Sequence, residues 1–403
     1  MINNSCSKYD NLCINLLSRG EVRYPESLVN IFCGQMLDGK INTARAGAKN
    51  TLAKSPNCRY KLIINENSDS DKRFWPAISG VLNVKLKNSK IAIIGGSGFI
   101  GRQIVEKLAR EGARVIVLTR NADRAKFLRP MGSPGQIALI SGQATDDAML
   151  EQVIENADAV INTVGILAES GKQRFASLQA ELPARIGRII ADQANKTNTA
   201  PRMIQLSAIG ADAGSNSRYA RTKAEGEAGL WRAFPNATIL RPSLVFGAGD
   251  GFFNRFAGMA MTAPALPVIG GGTNRIQPVY VGDVASAVVN ALKDDRTAGK
   301  IYELGGPRVM SFRDAMDFLL TCIKRKRKLV HVPFPVMHLA ATALSILPQP
   351  PVTNDQLKLL KKDNVVSEDA LTLADLGIVP TAMDVIVPAY LERYKPGGQF
   401  SVS

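Results

Sequence analysis

Apolar positions follow no sustained period of 2 or 3.6 residues up to residue 89, whereas from Lys90 onward short apolar runs alternate with amphipathic ones. The apolar runs fall at 91–95, 114–119 (RVIVLT), 137–141 (IALIS), 158–164 (DAVINTV), 203–207 (MIQLS), 237–241 (ATILR) and 301–304 (IYEL), each with the length and β-branched content of a strand. Between the first five lie segments of helical spacing, 100–111, 146–156 and 174–195. Strands apolar on both faces, separated by helices long enough to cross over, belong to a parallel sheet covered on both sides. Right-handed crossovers then wind such a sheet both ways from its centre, and ligands bind at the carboxyl ends of the strands where the order reverses. Residues 1–89, which include the polar stretch NENSDSDK, read as an N-terminal extension that is poorly ordered.

The first strand runs into IAIIGGSGFIGR, residues 91–102, which packs Gly95, Gly96, Gly98 and Gly101 into one turn with Ser97, Phe99 and Ile100 between them. Glycine lets the main chain take positive φ and come close to a ligand, and a helix start points free N–H groups and a positive dipole end at an anion. Strand, glycine turn and helix in this order form a dinucleotide cradle. The fold class expected is therefore α/β: a Rossmann-like doubly wound parallel sheet over 90–245. Residues 246–403 form a small C-terminal α/β lobe of the substrate-binding type, its strands and helices interleaved into the core. An NAD site places an acid at the end of the second strand, but here LTRNADR puts Arg120 there, with no acid before Asp123. A guanidinium suits a 2′-phosphate, so NADP(H) is favoured over NAD(H), with Arg124 or Arg102 near enough in sequence to add to the contact.

A formal net charge of +15 over 403 residues changes this picture only by asking for a partner. It is either a solvated basic surface or the mark of a negatively charged nucleotide, membrane or nucleic acid. Five consecutive basic residues, Lys324 to Lys328, precede an apolar segment at 332–347 that is too short to span a bilayer. They are either a solvated run before a packed helix or a site that docks on an anionic membrane surface. No nucleic-acid partner is expected, since aromatics do not interleave with the run. Cys6, Cys13, Cys33 and Cys58 are irregularly spaced and Cys322 stands alone, so neither a zinc site nor a disulfide framework is expected. The acid-free stretch 39–65 has the composition of a transit peptide, but Asp10, Glu21, Glu26 and Asp38 precede it.

Catalytic chemistry enters with LSAIGADAGSNSRYARTKAEGE. Ser207 ends the fifth strand, and Tyr219 and Lys223 lie four apart on one helix face. A nearby ammonium favours phenolate and lowers the phenol pKa, so the tyrosine can exchange a proton with a substrate oxygen that the serine hydroxyl holds.

GGSGFIG, INTVGIL, Ser207 with YARTK, ILRPSLVFGAGDGFFNRF and RIQPVYVGDVASAV together resemble the extended and atypical short-chain dehydrogenase/reductase superfamily. More narrowly, LSAIGADAGSNSRYARTKAEGE, FFNRF and QPVYVGDVA are similar to the NAD(P)H-binding accessory subunit of respiratory complex I and its bacterial homologues. The resemblance implies that Gly95, Gly98 and Gly101 hold the pyrophosphate, that Asn162 and Gly165 lie beside the cofactor, and that Ser207, Tyr219 and Lys223 form a triad. In the superfamily the lysine also binds the nicotinamide ribose. It further implies a largely structural NADPH, complex I subunits as partners, and a place on the cytoplasmic face of the bacterial inner membrane or the mitochondrial matrix face. Two other functions stay open: a free-standing NADP-dependent reductase or epimerase, and a nucleotide sensor without chemistry.

Overall fold

This computed structural model describes residues 84–171, 173–345 and 352–397. The N-terminal extension expected over residues 1–89, with its four cysteines, lies outside the described residues up to residue 83. Val84 and Leu86, ahead of the first strand, are buried in the same core as Ile91 and Ile93.

Lys90–Ile94 forms β1, and Ile91, Ala92, Ile93 and Ile94 are each fully buried. Alternate side chains point to opposite faces, so a strand buried throughout needs cover on both. Helix α1, Phe99–Arg110, supplies part of that cover with Ile104, Val105 and Leu108, and β2, Arg114–Thr119, returns parallel beside β1. β3, Ile137–Ser141, adds to the outer edge of β2. Helix α2, Asp147–Ile154, starts at Asp146, whose carboxylate accepts the N–H groups of Ala148 and Met149 and so satisfies donors the helix leaves free. β4, Ala159–Asn162, then pairs with the other edge of β1. That reversal from β3 back to β4 is the switch point, and the glycine turn sits at it.

The expected helix over 174–195 divides into a π-helical turn at Ala176–Glu181 and helix α3, Leu182–Thr197. Pro183 lacks the N–H for the regular ladder, so the preceding turn widens. β5 (Arg202–Leu206), helix α4 (Arg218–Ala233) and β6 (Thr238–Pro242) continue the alternation. After β7, Val245–Phe246, the chain enters the second lobe through helix α5, Phe253–Thr262, and β8, Ala265–Ile269. β9 (Arg275–Ile276) and β10 (Val279–Tyr280) lead into helix α6, Val281–Lys293, which packs beside α1 on the main sheet. β11, Ile301–Leu304, completes that sheet, whose order is β11-β6-β5-β4-β1-β2-β3 with every pair parallel.

β12 (Met310–Ser311), helix α7 (Phe312–Cys322), β13 (Lys328–Val332), helix α8 (Phe334–Leu344), helix α9 (Asn354–Leu359) and helix α10 (Met383–Leu391) build the rest of the second lobe. Its own core gathers Phe246, Phe253, Leu266, Val268, Phe312 and Leu319. Among the described residues no helix is long and apolar enough to cross a membrane.

Candidate functional site

Gly95 leaves β1 at φ +85°, a left-handed conformation that glycine takes without strain. Its carbonyl accepts the N–H of Gly98, and Gly98 then caps α1 with extended backbone. Gly96 is packed against the second strand, where an added Cβ would come within 2.9 Å of Val117. The Ser97 hydroxyl lies 2.9 Å from that of Thr119, tying the turn to the end of β2. Ile100 packs onto the core, while Phe99 is half-buried with the Arg102 guanidinium 5.9 Å from its ring.

Arg120 follows Thr119 directly and is exposed; among the described residues its side chain makes no hydrogen bond or ion pair. Asp123, the first acid after it, is engaged by Lys126 at 2.7 Å. Arg102 points toward the loop after β7. Its guanidinium lies beside Gly249, and its buried Nε has no hydrogen-bond partner among the described residues.

Asn162, at the end of β4, is fully buried. Its amide donates to Gln205 Oε1 at 2.9 Å and its own oxygen accepts the Val164 N–H, so it bends the chain out of β4 toward Gly165. Gln205 in turn donates to the Leu206 carbonyl at 2.8 Å, and that carbonyl also accepts from Lys223 Nζ at 3.4 Å. A polar network therefore runs beneath the site from β4 through β5 to α4. Gly165 and Lys223 do meet: a Cβ on Gly165 would stand 3.3 Å from the ammonium.

Ser207 follows β5, 7% exposed, and its buried hydroxyl has no hydrogen-bond partner among the described residues. Such an orphan costs free energy unless a ligand or water satisfies it. Tyr219 packs edge-on against Phe175 with centroids 6.1 Å apart, and Lys223 Nζ lies 6.0 Å from its ring. Burial pushes the Tyr219 hydroxyl up to about 12, the reverse of the lowered pKa expected from the lysine. Desolvation outweighs the ammonium here, because burial penalises phenolate and also brings Lys223 down to about 8, a fall that the Glu227 charge opposes. At neutral pH the pair is thus a neutral phenol beside a cation, a proton donor rather than a base.

The signs give a pH dependence. Between about 8 and its ordinary 10.5, Lys223 is protonated in the unfolded chain but not in the folded one, so the free protein gains stability as pH rises through that window. A bound anionic dinucleotide favours the ammonium, so binding takes up a proton above pH 8. Affinity should then be flat from neutral pH to about 8 and fall toward tenfold per unit beyond it, whereas Lys223→Met should bind weakly at every pH. Calorimetric titration with NADPH across this range checks the slope; a level wild-type profile would remove Lys223 from the binding site.

Sequence reasoning alone did not reach Thr119, Phe175, Gln205 or Glu227, which brace the turn and the pair, because nothing in their spacing distinguishes them from core or helix-surface residues. A cavity of about 820 Å³ lined by Glu151, Glu155, Asp158 and Asp192 lies at the amino-terminal ends of the strands, opposite the glycine turn, and plays no part in this site. Among the described residues no cluster of metal ligands occurs.

A glycine cradle at the switch point of a seven-stranded parallel sheet, with an unsatisfied serine and a tyrosine–lysine pair beside it, defines an NAD(P)-type nucleotide-binding protein of the short-chain dehydrogenase kind. The residues fit the dinucleotide: a cradle closed to side chains on its inner side and open at Gly98, with a polar orphan at Ser207. When bound, such a group supplies hydride chemistry.

The model of the NAD dependent epimerase/dehydratase family matches residues 91–305, and the chain belongs to that family. It is 32% identical over 368 residues to the mitochondrial NADH dehydrogenase (ubiquinone) 1 alpha subcomplex subunit 9 of Arabidopsis thaliana, covering 87% of this chain and 89% of that protein. With the subunit of the same name in Mus musculus it shares 30% over 306 residues, 75% of this chain and 80% of the mouse protein. The structure of a dTDP-glucose 4,6-dehydratase from Streptomyces venezuelae, solved with NAD and TYD bound, superposes with a TM-score of 0.58 at 18% identity, over 76% of this chain and 96% of that one. That likeness is one of fold.

Proposed function

We propose that this chain is an accessory subunit of NADH:ubiquinone oxidoreductase, respiratory complex I, which binds NADP(H) and keeps it as a largely structural ligand. The observation that carries this reading is the extent of the likeness to the Arabidopsis subunit, 89% of whose length is matched, well beyond the nucleotide-binding segment 91–305. A neutral Tyr219 is no base at the operating pH but can donate a hydrogen bond to a held ligand, as a binding role requires. Its partners are then complex I subunits, and its place is peripheral, on the matrix or cytoplasmic side of the respiratory membrane. A dinucleotide bound only by the native state stabilises the subunit by mass action. Native gels of respiratory membranes test the assignment: the chain should migrate with NADH dehydrogenase activity, and its absence from that band would end this reading.

NADP(H) rather than NAD(H) is supported by Arg120, exposed at the end of β2 with no competing partner among the described residues. Arg120→Ala should raise the NADPH Kd about 10- to 100-fold, one to two steps of 1.4 kcal/mol, and move NADH less than threefold. Equal losses for the two would remove the 2′-phosphate contact.

The second lobe offers a surface for an anionic membrane. On α8, Val336 and Leu339 are 56% and 75% exposed, one turn apart on the helix, and Lys324, Lys326 and Lys328 are exposed nearby in sequence. Two of the five basic residues are engaged by the fold: Arg325 donates to the Tyr394 carbonyl and Arg327 to that of Ala260. Three lysines remain, each worth about 1 kcal/mol near anionic headgroups. Flotation should show binding to phosphatidylglycerol vesicles and not to phosphatidylcholine ones, reduced several-fold by Leu339→Glu; equal binding to both would refute the electrostatic part.

A further inference from the structure

Residues 353–366 run across the carboxyl-terminal side of the main sheet, and their polar groups are spent on its loops. Asp355 is the centre of this contact. Its carboxylate accepts from the Ser217 hydroxyl at 2.7 Å, the Arg218 N–H at 2.7 Å and the Tyr219 N–H at 2.9 Å. The helix that carries Tyr219 and Lys223 is therefore capped by a residue 136 positions downstream of Tyr219. An anion at a helix N-terminus, receiving charge-assisted hydrogen bonds, is the strong form of such a cap.

The neighbours of Asp355 reach the remaining loops. Gln356 donates to the Leu167 carbonyl at 3.2 Å, after β4. Lys358 donates to the Asn216 carbonyl at 3.1 Å, and Lys362 pairs with Asp212 at 3.2 Å, both after β5. Asn364 accepts from the Ser243 hydroxyl, after β6, through its carbonyl at 2.9 Å and its side chain at 2.5 Å, and its amide donates to the Ile209 carbonyl at 3.4 Å. The segment is itself stiffened by a capping box between Thr353 and Gln356, and Asn354 is held by His338 and Thr342 of α8.

Those loops, at the carboxyl ends of β4, β5 and β6, are where an open parallel sheet presents its substrate pocket. We propose that residues 353–366 are a built-in strap that occupies the substrate side of the nucleotide site, so that a bound dinucleotide is shielded from outside reactants. This deepens the reading of the nucleotide as a structural ligand and rests on it. It also accounts for a Ser-Tyr-Lys set beside a nucleotide kept as a structural ligand: the groups are present, and the chain's own residues lie where a substrate would enter.

Oxidation of bound NADPH by phenazine methosulfate, a small hydride acceptor that needs no enzyme, tests the strap. The full chain, in excess over NADPH, is mixed with the acceptor in a stopped-flow instrument, and the loss of nicotinamide absorbance is followed. Wild type should protect NADPH at least 20-fold relative to the free nucleotide. Asp355→Ala/Asn364→Ala should bring the rate to within threefold of free, with the NADPH Kd moved less than fivefold. Should that variant not fold, Lys358→Ala/Lys362→Ala, which touches exposed contacts alone, should still speed oxidation several-fold. Bound NADPH oxidised as fast as free, or protection unchanged in a folded variant, overturns the strap while the nucleotide reading stands. A wild-type chain that binds no NADPH overturns both.

Discussion

Gly101→Ala should abolish dinucleotide retention while leaving the sheet assembled. A Cβ at this position would stand 2.7 Å from the Gly96 Cα and 2.8 Å from the Gly95 carbonyl oxygen, all main-chain atoms of the same turn. No rotamer relieves a clash with backbone, so either α1 moves outward or the turn opens, and both take N–H groups away from the anion they would grip. The rest of α1 stays anchored by Ile104, Val105 and Leu108. The NADPH Kd should rise about 100-fold or more, roughly 2.7 kcal/mol, with far-ultraviolet dichroism unchanged. Gly98→Ala is the informative companion. Its Cβ would meet the Gly95 oxygen at 3.3 Å and nothing else within 4 Å, so the ligand-free protein should melt as wild type does, yet the methyl would stand on the open side of the cradle. Calorimetry and ligand-free melting of both proteins decide the matter: a Gly101→Ala chain that binds NADPH within threefold of wild type would show that this turn does not hold the phosphates.

The glycine turn was legible because its demand is local: a positive φ at Gly95 and a helix–strand approach at Gly101 can be met by few residue types, so the sequence displays them. The same holds for the strands, since burial of Ile91–Ile94 on β1 and of Ala159, Val160 and Ile161 on β4 requires the apolar runs seen at those positions. Boundaries were less legible where one side chain ended an element. The expected strand 158–164 stops at Asn162 because its amide oxygen takes the Val164 N–H and turns the chain.

Long-range partners left no trace in the spacing. Asp355 sits in a stretch of ordinary polar composition, and nothing near it announces that its carboxylate caps α4. The rise of the Tyr219 pKa was also hidden, because sequence shows the lysine four residues on but not the burial that outweighs it. Likewise Arg325 and Arg327 read as free charge until the fold brings the carbonyls of Tyr394 and Ala260 to them. What the sequence displays is chemistry bound to a local conformation; what it conceals is chemistry that depends on which loops meet.

Arg241→Met should cost about 3–5 kcal/mol of folding stability, among the largest effects of any single change in this chain. Arg241 lies on β6 with its side chain 21% exposed, in register with Glu303 on β11, and holds Glu227 of α4 through two hydrogen bonds of 3.0 and 2.5 Å. Glu303 stands 3.6 Å from the same guanidinium. Removing the cation leaves two buried carboxylates facing one another with no counter-charge, and that, rather than the net worth of the pair, sets the size of the loss. Arg241→Met/Glu227→Leu should recover most of the stability, because Glu303 keeps the Ser367 N–H as a donor and no second carboxylate opposes it. Urea unfolding of both variants reads this out; a double variant no more stable than the single one would mean lost packing, not charge, was responsible. The double variant also separates stability from binding. Glu227 is the charge that opposes the desolvation of Lys223, one turn away on α4, so a folded chain without it should lose NADPH affinity at a lower pH than wild type.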